Sequence, residues 1–308
     1  MKASTLVGLL AGTLFLSACR KPISETTPPS SHTEKTAVLI VSHGSHSESW
    51  RSMLLDIESQ AEPDLLASPH IDDVRSAFME YTEPSIATRL KEFDSEGFTH
   101  VILVPVLLTV SDHSFDDIPV IAGMREDPST QSRLQLEGIE TYQANAAVTL
   151  TPLLDFPDLL HENIARRAAA MSSDPTQEGL VLVAYGSEPY NAEWTQLVTE
   201  LGQSTCQKLG FPEFSFAWCG HIAHYQSEPT QQAIEQILTH QKRALVVPLL
   251  VAIDENFQGR IIGGAVDAVA QPDRVAYRHD AVLPDARIPK WVVETSLQHA
   301  AQRSSGQP

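Results

Sequence analysis

An internal repeat constrains the fold of this chain more than any other feature of its 308 residues. Three segments of the first half match three segments of the second half in the same order: 37–46 matches 179–188, 82–93 matches 227–238, and 101–123 matches 244–264. The offset is nearly constant, since Pro105 and Pro248 lie 143 residues apart. A repeat of that length is far longer than a solenoid unit, so it predicts a duplicated domain.

The apolar pattern within each copy indicates an α/β domain. The run at 101–110 is rich in Val, Ile and Leu, which is typical of a strand buried on both faces of a parallel sheet. Between such runs, apolar residues recur at helical spacing, as at Trp50, Leu54 and Ile57. This alternation of strands and helices predicts two tandem α/β domains with parallel sheets and right-handed crossovers.

The same pattern predicts the domain bounds and several elements. We expect an N-terminal domain at 37–172 and a C-terminal, degenerate copy at 178–300, joined by a short polar stretch. Within the first domain we expect a helix that opens at Pro84, because proline is favoured at the first helical position. A strand is expected at 136–142 and a helix at 152–170.

Two histidines follow matching strands of the first copy. His43 ends the first apolar run, and His113 follows the run at 101–110. Open α/β sheets bind ligands at the carboxyl ends of their strands, so both imidazoles are expected at one edge of the first sheet. Their counterparts in the second copy are Tyr185 and Asn256. The repeat therefore predicts one site per chain, unless both histidines are solvated loop residues without a shared role.

Charge and cysteine content narrow the classes of partner. The chain has 21 basic and 39 acidic residues, a formal net charge of −18. Phosphate binding needs a basic surface, so we expect no nucleic-acid partner. Cys206 and Cys219 either form a disulfide, as an exported protein permits, or remain buried thiols.

The first 19 residues have the pattern of an export signal. Lys2 precedes an apolar run at 6–16 that is too short to span a bilayer, and Leu-Ser-Ala-Cys ends at Cys19. The pattern resembles a bacterial lipoprotein signal with a lipidated Cys19, which predicts an exported protein anchored to the membrane on the periplasmic side of the cell envelope. The alternative is an ordinary secretory signal that contains a cysteine. Residues 20–36 are polar and proline-rich, so they predict a disordered tether.

Three motifs occur in order along the first copy. They are His-Gly-Ser at 43–45, Phe-Met-Glu at 78–80 before Thr-Glu-Pro-Ser, and His113 followed by Asp-Ile-Pro at 117–119. Together they resemble the sirohydrochlorin cobaltochelatase and ferrochelatase family of class II tetrapyrrole chelatases, over roughly residues 37–300. The resemblance implies two flavodoxin-like domains facing a central cleft, and insertion of a divalent metal into a tetrapyrrole without ATP or another nucleotide.

The resemblance also implies roles for three residues. It makes His43 and His113 the metal-binding and proton-accepting residues, and Glu80 the catalytic acidic residue. It implies a sirohydrochlorin-type substrate, as in cobalamin synthesis, with Co²⁺ as the expected metal and Fe²⁺ or Ni²⁺ as alternatives. The oligomeric state stays open.

The chemistry of these residue types agrees with that assignment. Neutral imidazoles suit borderline divalent ions and accept protons near neutral pH. Two histidines and one glutamate leave coordination positions open, as a metal-transfer site requires. The alternative is a non-catalytic carrier or sensor that binds a metal or a tetrapyrrole, such as haem, in the same cleft.

Further polar residues are weaker candidates for the site. The possible accessory or cleft-facing histidines are His46, His221 and His224. The arginines that could offset the negative charge for a polycarboxylate substrate are Arg51, Arg75, Arg125 and Arg260. The acids expected to start helices rather than to bind metal or catalyse are Glu83, Asp116 and Asp117.

Overall fold

Parallel strands form two similar sheets, one in each half of the sequence. The strands are Thr36–Ser42 (β1), Asp73–Phe78 (β2), His100–Pro105 (β3), Ala147–Leu150 (β4), Glu178–Ala184 (β5), Phe214–Trp218 (β6), Arg243–Leu249 (β7) and Val275–Tyr277 (β8). Their orders are β2-β1-β3-β4 and β6-β5-β7-β8, with every pairing parallel. The predicted fold class, α/β with two tandem parallel sheets, is confirmed.

This computed structural model describes residues 34–155 and 158–304. The predicted signal at 1–19, including Cys19, and most of the predicted tether at 20–36 lie outside the described residues. Within the described ranges, no helix is long and apolar enough to cross a membrane.

Helices cover both faces of the sheets. They are Glu48–Leu66 (α1), Ile86–Ser95 (α2), Ile118–Ile121 (α3), Pro128–Leu136 (α4), Leu159–Ala169 (α5), Asn191–Leu209 (α6), Glu228–His240 (α7), Gly264–Ala268 (α8) and Arg287–Ser304 (α9). Two π-helical segments, Asp112–Asp117 and Asn256–Gly263, follow β3 and β7. These segments stand at matching places in the two halves, as the repeat predicts.

Burial explains why β1 is central in its sheet. All seven of its residues, Thr36–Ser42, are buried. It pairs with β2 on one side and β3 on the other, so that Ser42 lies opposite Phe78 and Val41 opposite Pro105. Because the three strands run parallel, their carboxyl ends meet at one edge of the sheet.

Each half is completed by a helix from the other half. Helix α5 of the first half packs on α6 and β7, whereas α9 at the end of the second half packs on α1 and β3. Buried hydrogen bonds fix the exchange: the Asn163 side chain donates to the Val282 carbonyl at 2.9 Å, and Arg167 donates to the Pro248 carbonyl at 2.8 Å. One apolar cluster accordingly contains residues of both sheets, such as Ile40 and Leu182.

Three element predictions are wrong in their position. The segment at 136–142 is not a strand, because Asp127 caps α4 by accepting from the Ser129 and Thr130 amides and the helix runs to Leu136; the strand is β4, which begins eleven residues after Leu136. Helix α2 begins at Ile86, after Ser85 as its cap, and not at Pro84. Helix α5 begins at Leu159, so 152–158 is not helical.

The two cysteines of the described ranges are free thiols. Cys206 lies on α6, and Cys219 follows β6 in the interior. Burial raises the pKa of Cys206 to about 11 and that of Cys219 to about 12. Both side chains therefore remain neutral thiols, and the structure favours this alternative over the disulfide.

Candidate metal centre

The carboxyl ends of β1, β2 and β3 bring three predicted site residues together. His43 follows β1, Glu80 follows β2, and His113 lies in the first π-helical segment, Asp112–Asp117. The Nε2 atoms of the two histidines are 3.1 Å apart, and Nε2 of His43 lies 2.9 Å from Oε1 of Glu80. Within the described residues these form the one group of three histidine, cysteine or acidic side chains that could hold a metal, with ligand atoms within 4.8 Å of one another.

A glycine makes the approach of the first two strand ends possible. Gly44 has φ +89°, and a Cβ there would meet the Glu80 carbonyl oxygen at 2.0 Å. Only glycine leaves this space empty and adopts this backbone without strain. The Glu80 amide then donates to the His43 carbonyl at 3.1 Å, which joins the two loops.

A capping box positions His113. The Ser111 side chain accepts from the Ser114 amide at 3.3 Å, and the Ser111 amide donates to the Ser114 hydroxyl at 2.8 Å. This reciprocal pair begins the π-helical segment directly after the apolar strand region. His113 is its second residue and therefore stays at the rim.

Hydrogen bonds on the outer nitrogens orient both imidazoles. Nδ1 of His43 donates to the Gly44 carbonyl at 3.0 Å, and Nδ1 of His113 donates to Oδ2 of Asp117 at 3.0 Å. Asp117 is buried and also forms an ion pair with Arg133. With both Nδ1 atoms protonated, the Nε2 lone pairs point to a common position, as metal-binding histidines require. Asp117 was expected only to start a helix; that prediction misses its contact with His113.

Glu80 changes the protonation of His43. Burial lowers the pKa of His43, but the hydrogen bond and negative charge of Glu80 outweigh burial, so the pKa is raised overall. Burial likewise raises the pKa of Glu80, and the His43 interaction outweighs it, so this pKa is lowered. Without a metal, His43 is therefore stabilised as an imidazolium that donates to the Glu80 carboxylate.

The second half lacks this side-chain set at the matching places. Tyr185 follows β5, and Gly220 stands in the register of Glu80, since its amide donates to the Tyr185 carbonyl at 3.1 Å. Asn256 begins the second π-helical segment and is exposed. A Cβ on Gly220 would lie 2.8 Å from the ring of Tyr185, so the tyrosine ring occupies the side-chain space there.

Within the described residues, none of the weaker histidine candidates belongs to the metal-ligand group. The ring of His46 lies 5.1 Å from that of Tyr81 and is not in the metal-ligand group. His221 contacts the Tyr225 hydroxyl at 3.0 Å, whereas the backbone carbonyl of His224 accepts from the Gln226 side chain at 3.1 Å. Sequence reasoning did not single out Tyr81 or Tyr225; the signal available was an aromatic residue in each loop after the second strand.

The arginine and acid candidates have other partners. Arg75 pairs with Asp73, Glu92 and Glu96. Arg125 pairs with Asp116, Arg51 donates to the Ser45 carbonyl, and Arg260 donates to Asn256. Glu83 accepts from the Ser85 amide at 2.6 Å, beside the start of α2, as expected for a residue at a helix N-terminus.

The first half of the chain, which carries this site, matches a known protein family in sequence. The family described as CbiX matches residues 37–171. A sirohydrochlorin cobaltochelatase of Methanococcoides burtonii is 31% identical over 137 residues, which are 44% of this chain and 95% of that protein. One from Methanosarcina barkeri is 33% identical over 96 residues, 31% of this chain and 70% of that protein.

Solved structures extend the likeness to both halves. The sirohydrochlorin chelatase SirB of Bacillus subtilis subspecies spizizenii, in complex with cobalt, matches with a TM-score of 0.60 at 16% identity, over 88% of this chain and 97% of that one. SirB from Bacillus subtilis with Fe³⁺ matches with a TM-score of 0.61 at 17% identity, over 89% and 98%. At these identities the likeness shows a common fold. The family match at 37–171 includes all three clustered side chains, and the Methanococcoides burtonii relative is matched over 95% of its length at 31% identity, so this chain belongs to the CbiX family.

Proposed function

We propose that this protein inserts a divalent metal ion into a sirohydrochlorin-type tetrapyrrole without ATP. The observation that carries the proposal is the convergence of His43, Glu80 and His113, with both Nε2 lone pairs aimed at one position. Relatives named sirohydrochlorin cobaltochelatase support the choice of reaction.

The donor set suits a metal that is a substrate. Imidazole nitrogens bind Co²⁺, Fe²⁺ and Ni²⁺, and affinity alone does not choose among them. Co²⁺ is proposed as the metal because the relatives are cobaltochelatases. Three ligands leave coordination positions open, so pyrrole nitrogens can bind the ion before the protein releases it.

The binding of metal starts with the loss of a proton. In the metal-free site, Nε2 of His43 donates to Glu80. An incoming cation takes the place of that proton, and the carboxylate balances part of its charge. Asp117 holds the ring of His113 in the orientation that presents Nε2.

The test is to incubate the detergent-solubilised protein anaerobically with sirohydrochlorin and Co²⁺. The change in absorbance reports metal insertion. We expect many turnovers per chain, with His113→Ala losing most activity and its repeat counterpart Asn256→Ala retaining it. An absorbance change that stops at one equivalent per chain would support the carrier alternative, and no change would contradict both readings. Equal losses in the two variants would contradict a single site in the first half.

We propose further that the mature protein is anchored to the membrane outside the cytoplasm through lipidated Cys19. The support is the sequence pattern of a short apolar run that ends in Leu-Ser-Ala-Cys, followed by a polar tether. One acyl chain binds membranes only weakly, so stable anchoring requires more than one. Cys19→Ser should move the protein from the membrane to the soluble fraction; unchanged partition would refute the anchor.

A further inference from the structure

While the two histidines hold a metal, neither ring has a nitrogen that is free to accept a proton. Both Nδ1 atoms carry protons, which they donate to the Gly44 carbonyl and to Asp117. Both Nε2 atoms face the metal position. A tetrapyrrole must lose two N–H protons to bind a divalent metal as a neutral complex. The histidines cannot take these protons before the metal has left, so other acceptors are needed.

The second half carries a hydrogen-bonded chain at the matching end of its sheet. The Tyr185 hydroxyl lies 3.1 Å from the Tyr225 hydroxyl, which lies 3.0 Å from Nδ1 of His221. Tyr185 is partly buried, and His221 is exposed. The three groups thus connect the interior of this loop cluster to solvent through a final imidazole, a group that accepts protons near neutral pH.

The backbone holds this chain under strain. Tyr225 has φ +58°, and Tyr81, in the corresponding loop of the first half, has φ +65°. Non-glycine residues rarely adopt this conformation, and such strain clusters at functional sites. Here both strained tyrosines occupy corresponding loops of the two halves.

Two sets of contacts connect this chain to the metal centre. The Tyr81 ring lies 6.0 Å from the ring of His43, and its phenol is near enough to Tyr225 and Tyr185 to interact with both electrostatically. Separately, Ser45, two residues after His43, donates to Asp254 at 3.0 Å. Three residues after Asp254, the ring of Phe257 lies 5.5 Å from Tyr185 and 6.3 Å from Tyr225.

We propose that Tyr225 and His221 accept one of the two pyrrole protons during metal insertion, an inference that rests on the proposed function. One pyrrole N–H bond breaks, and the nitrogen keeps the electron pair and donates it to the metal. The proton binds the Tyr225 oxygen as the proton of that hydroxyl moves to Nδ1 of His221. The second pyrrole proton passes to solvent. Two N–H bonds are lost, one proton is gained by His221 and one by water, with no change in oxidation state.

The experiment measures steady-state insertion of Co²⁺ into sirohydrochlorin by the full chain and, separately, Co²⁺ affinity by titration. Tyr225→Phe and His221→Gln should each lower kcat about tenfold or more, since general acid–base groups contribute about 10²–10⁴-fold. KM and Co²⁺ affinity should stay within about twofold of wild type. The double variant should be no slower than the slower single variant, because the two residues act as one relay. Added imidazole should restore part of the rate of His221→Ala.

Matched controls are His240→Gln, an exposed histidine at the end of α7, and Tyr142→Phe, whose hydroxyl binds Asp94. Both should keep the wild-type kcat. Wild-type rates in Tyr225→Phe and His221→Gln, or a parallel loss of Co²⁺ affinity, would overturn the relay while leaving the proposed function intact. No insertion by the wild-type protein would overturn the proposed function and the relay with it.

Discussion

At the scale of single residues, the metal centre depends on groups that hold the ligands as much as on the ligands themselves. Asp117 is buried, binds Nδ1 of His113 and is paired with Arg133. At His43 the Gly44 carbonyl is the group that binds Nδ1, while Glu80 contacts Nε2, where its hydrogen bond and charge outweigh burial and raise the pKa of the ring. The two rings are therefore oriented by different groups, a buried carboxylate at His113 and a backbone carbonyl at His43.

Asp117→Asn should weaken Co²⁺ binding roughly 10- to 100-fold, the usual cost of losing a group that orients a metal ligand. The variant keeps the shape of the side chain but removes the charge that fixes the ring of His113. Asp116→Asn is the matched control, because Asp116 binds Arg125 and Tyr190 and neither histidine. Isothermal titration measures the Co²⁺ affinity of both variants. Equal affinities would show that Asp117 does not orient His113.

Co²⁺ affinity should fall on acidification, beginning above the ordinary histidine pKa of 6.5, because the pKa of His43 is raised. The sign follows from competition: the metal binds the neutral ring, and protonation at lower pH removes the lone pair. In Glu80→Gln the negative charge is gone, while burial still lowers the pKa of His43. The loss of Co²⁺ affinity should therefore begin at a lower pH than in the wild-type protein. Titrations from about pH 5 to 8 would contradict this if both proteins lost affinity at the same pH.

At the scale of elements, the loop after the second strand of each half determines which side chains lie at the carboxyl edge of its sheet. In the first half Gly44 allows the loop to approach and carry Glu80 beside His43. In the second half Gly220 makes room for the ring of Tyr185. The glycine after the first strand is kept in both halves, since Gly186 also has a left-handed backbone with φ +80°, whereas Gly220 stands where the first half has Glu80. The side chains at this edge accordingly change from metal ligands to a phenol–imidazole chain.

Gly44→Ala should destabilise the protein by about 2 kcal/mol or more and abolish tight Co²⁺ binding. Left-handed backbone costs a non-glycine residue about 1–2 kcal/mol, and the new Cβ would also collide with the Glu80 carbonyl. Gly138→Ala is the control, because Gly138 has φ +74° with no atom within 4 Å of an added Cβ. Urea unfolding and Co²⁺ titration of both variants would contradict the steric argument if their losses were equal.

At the scale of the whole molecule, the two halves are joined by more than the chain. Helices α5 and α9 are exchanged between the sheets. Side chains also bond reciprocally, since Ser45 donates to Asp254 at 3.0 Å and Ser187 donates to Asp112 at 2.8 Å. The predicted boundaries at 37–172 and 178–300 follow the repeat and stay a prediction, but neither range contains all the helices that cover its sheet.

The described part of the protein should therefore unfold in one cooperative transition. Neither half can bury its sheet alone, so loss of one removes a covering helix from the other. Calorimetry should show a single peak whose calorimetric and van't Hoff enthalpies agree, and a chain shortened before α9 should lose the ordered structure of both halves. Two separate transitions would show that the halves are independent.

The sequence by itself determined the fold class and the two histidines that could meet at one sheet edge. Apolar runs, helical spacing and the repeat are local patterns, and parallel strands place His43 and His113 at the same edge by topology, whereas Glu80 was identified through the family resemblance. It did not determine which sheet α5 and α9 cover, because an amphipathic helix does not specify the surface it packs on. The contact between Asp117 and His113, and the pairing of Tyr185 with Tyr225 and His221, likewise depend on backbone conformations that only tertiary packing selects.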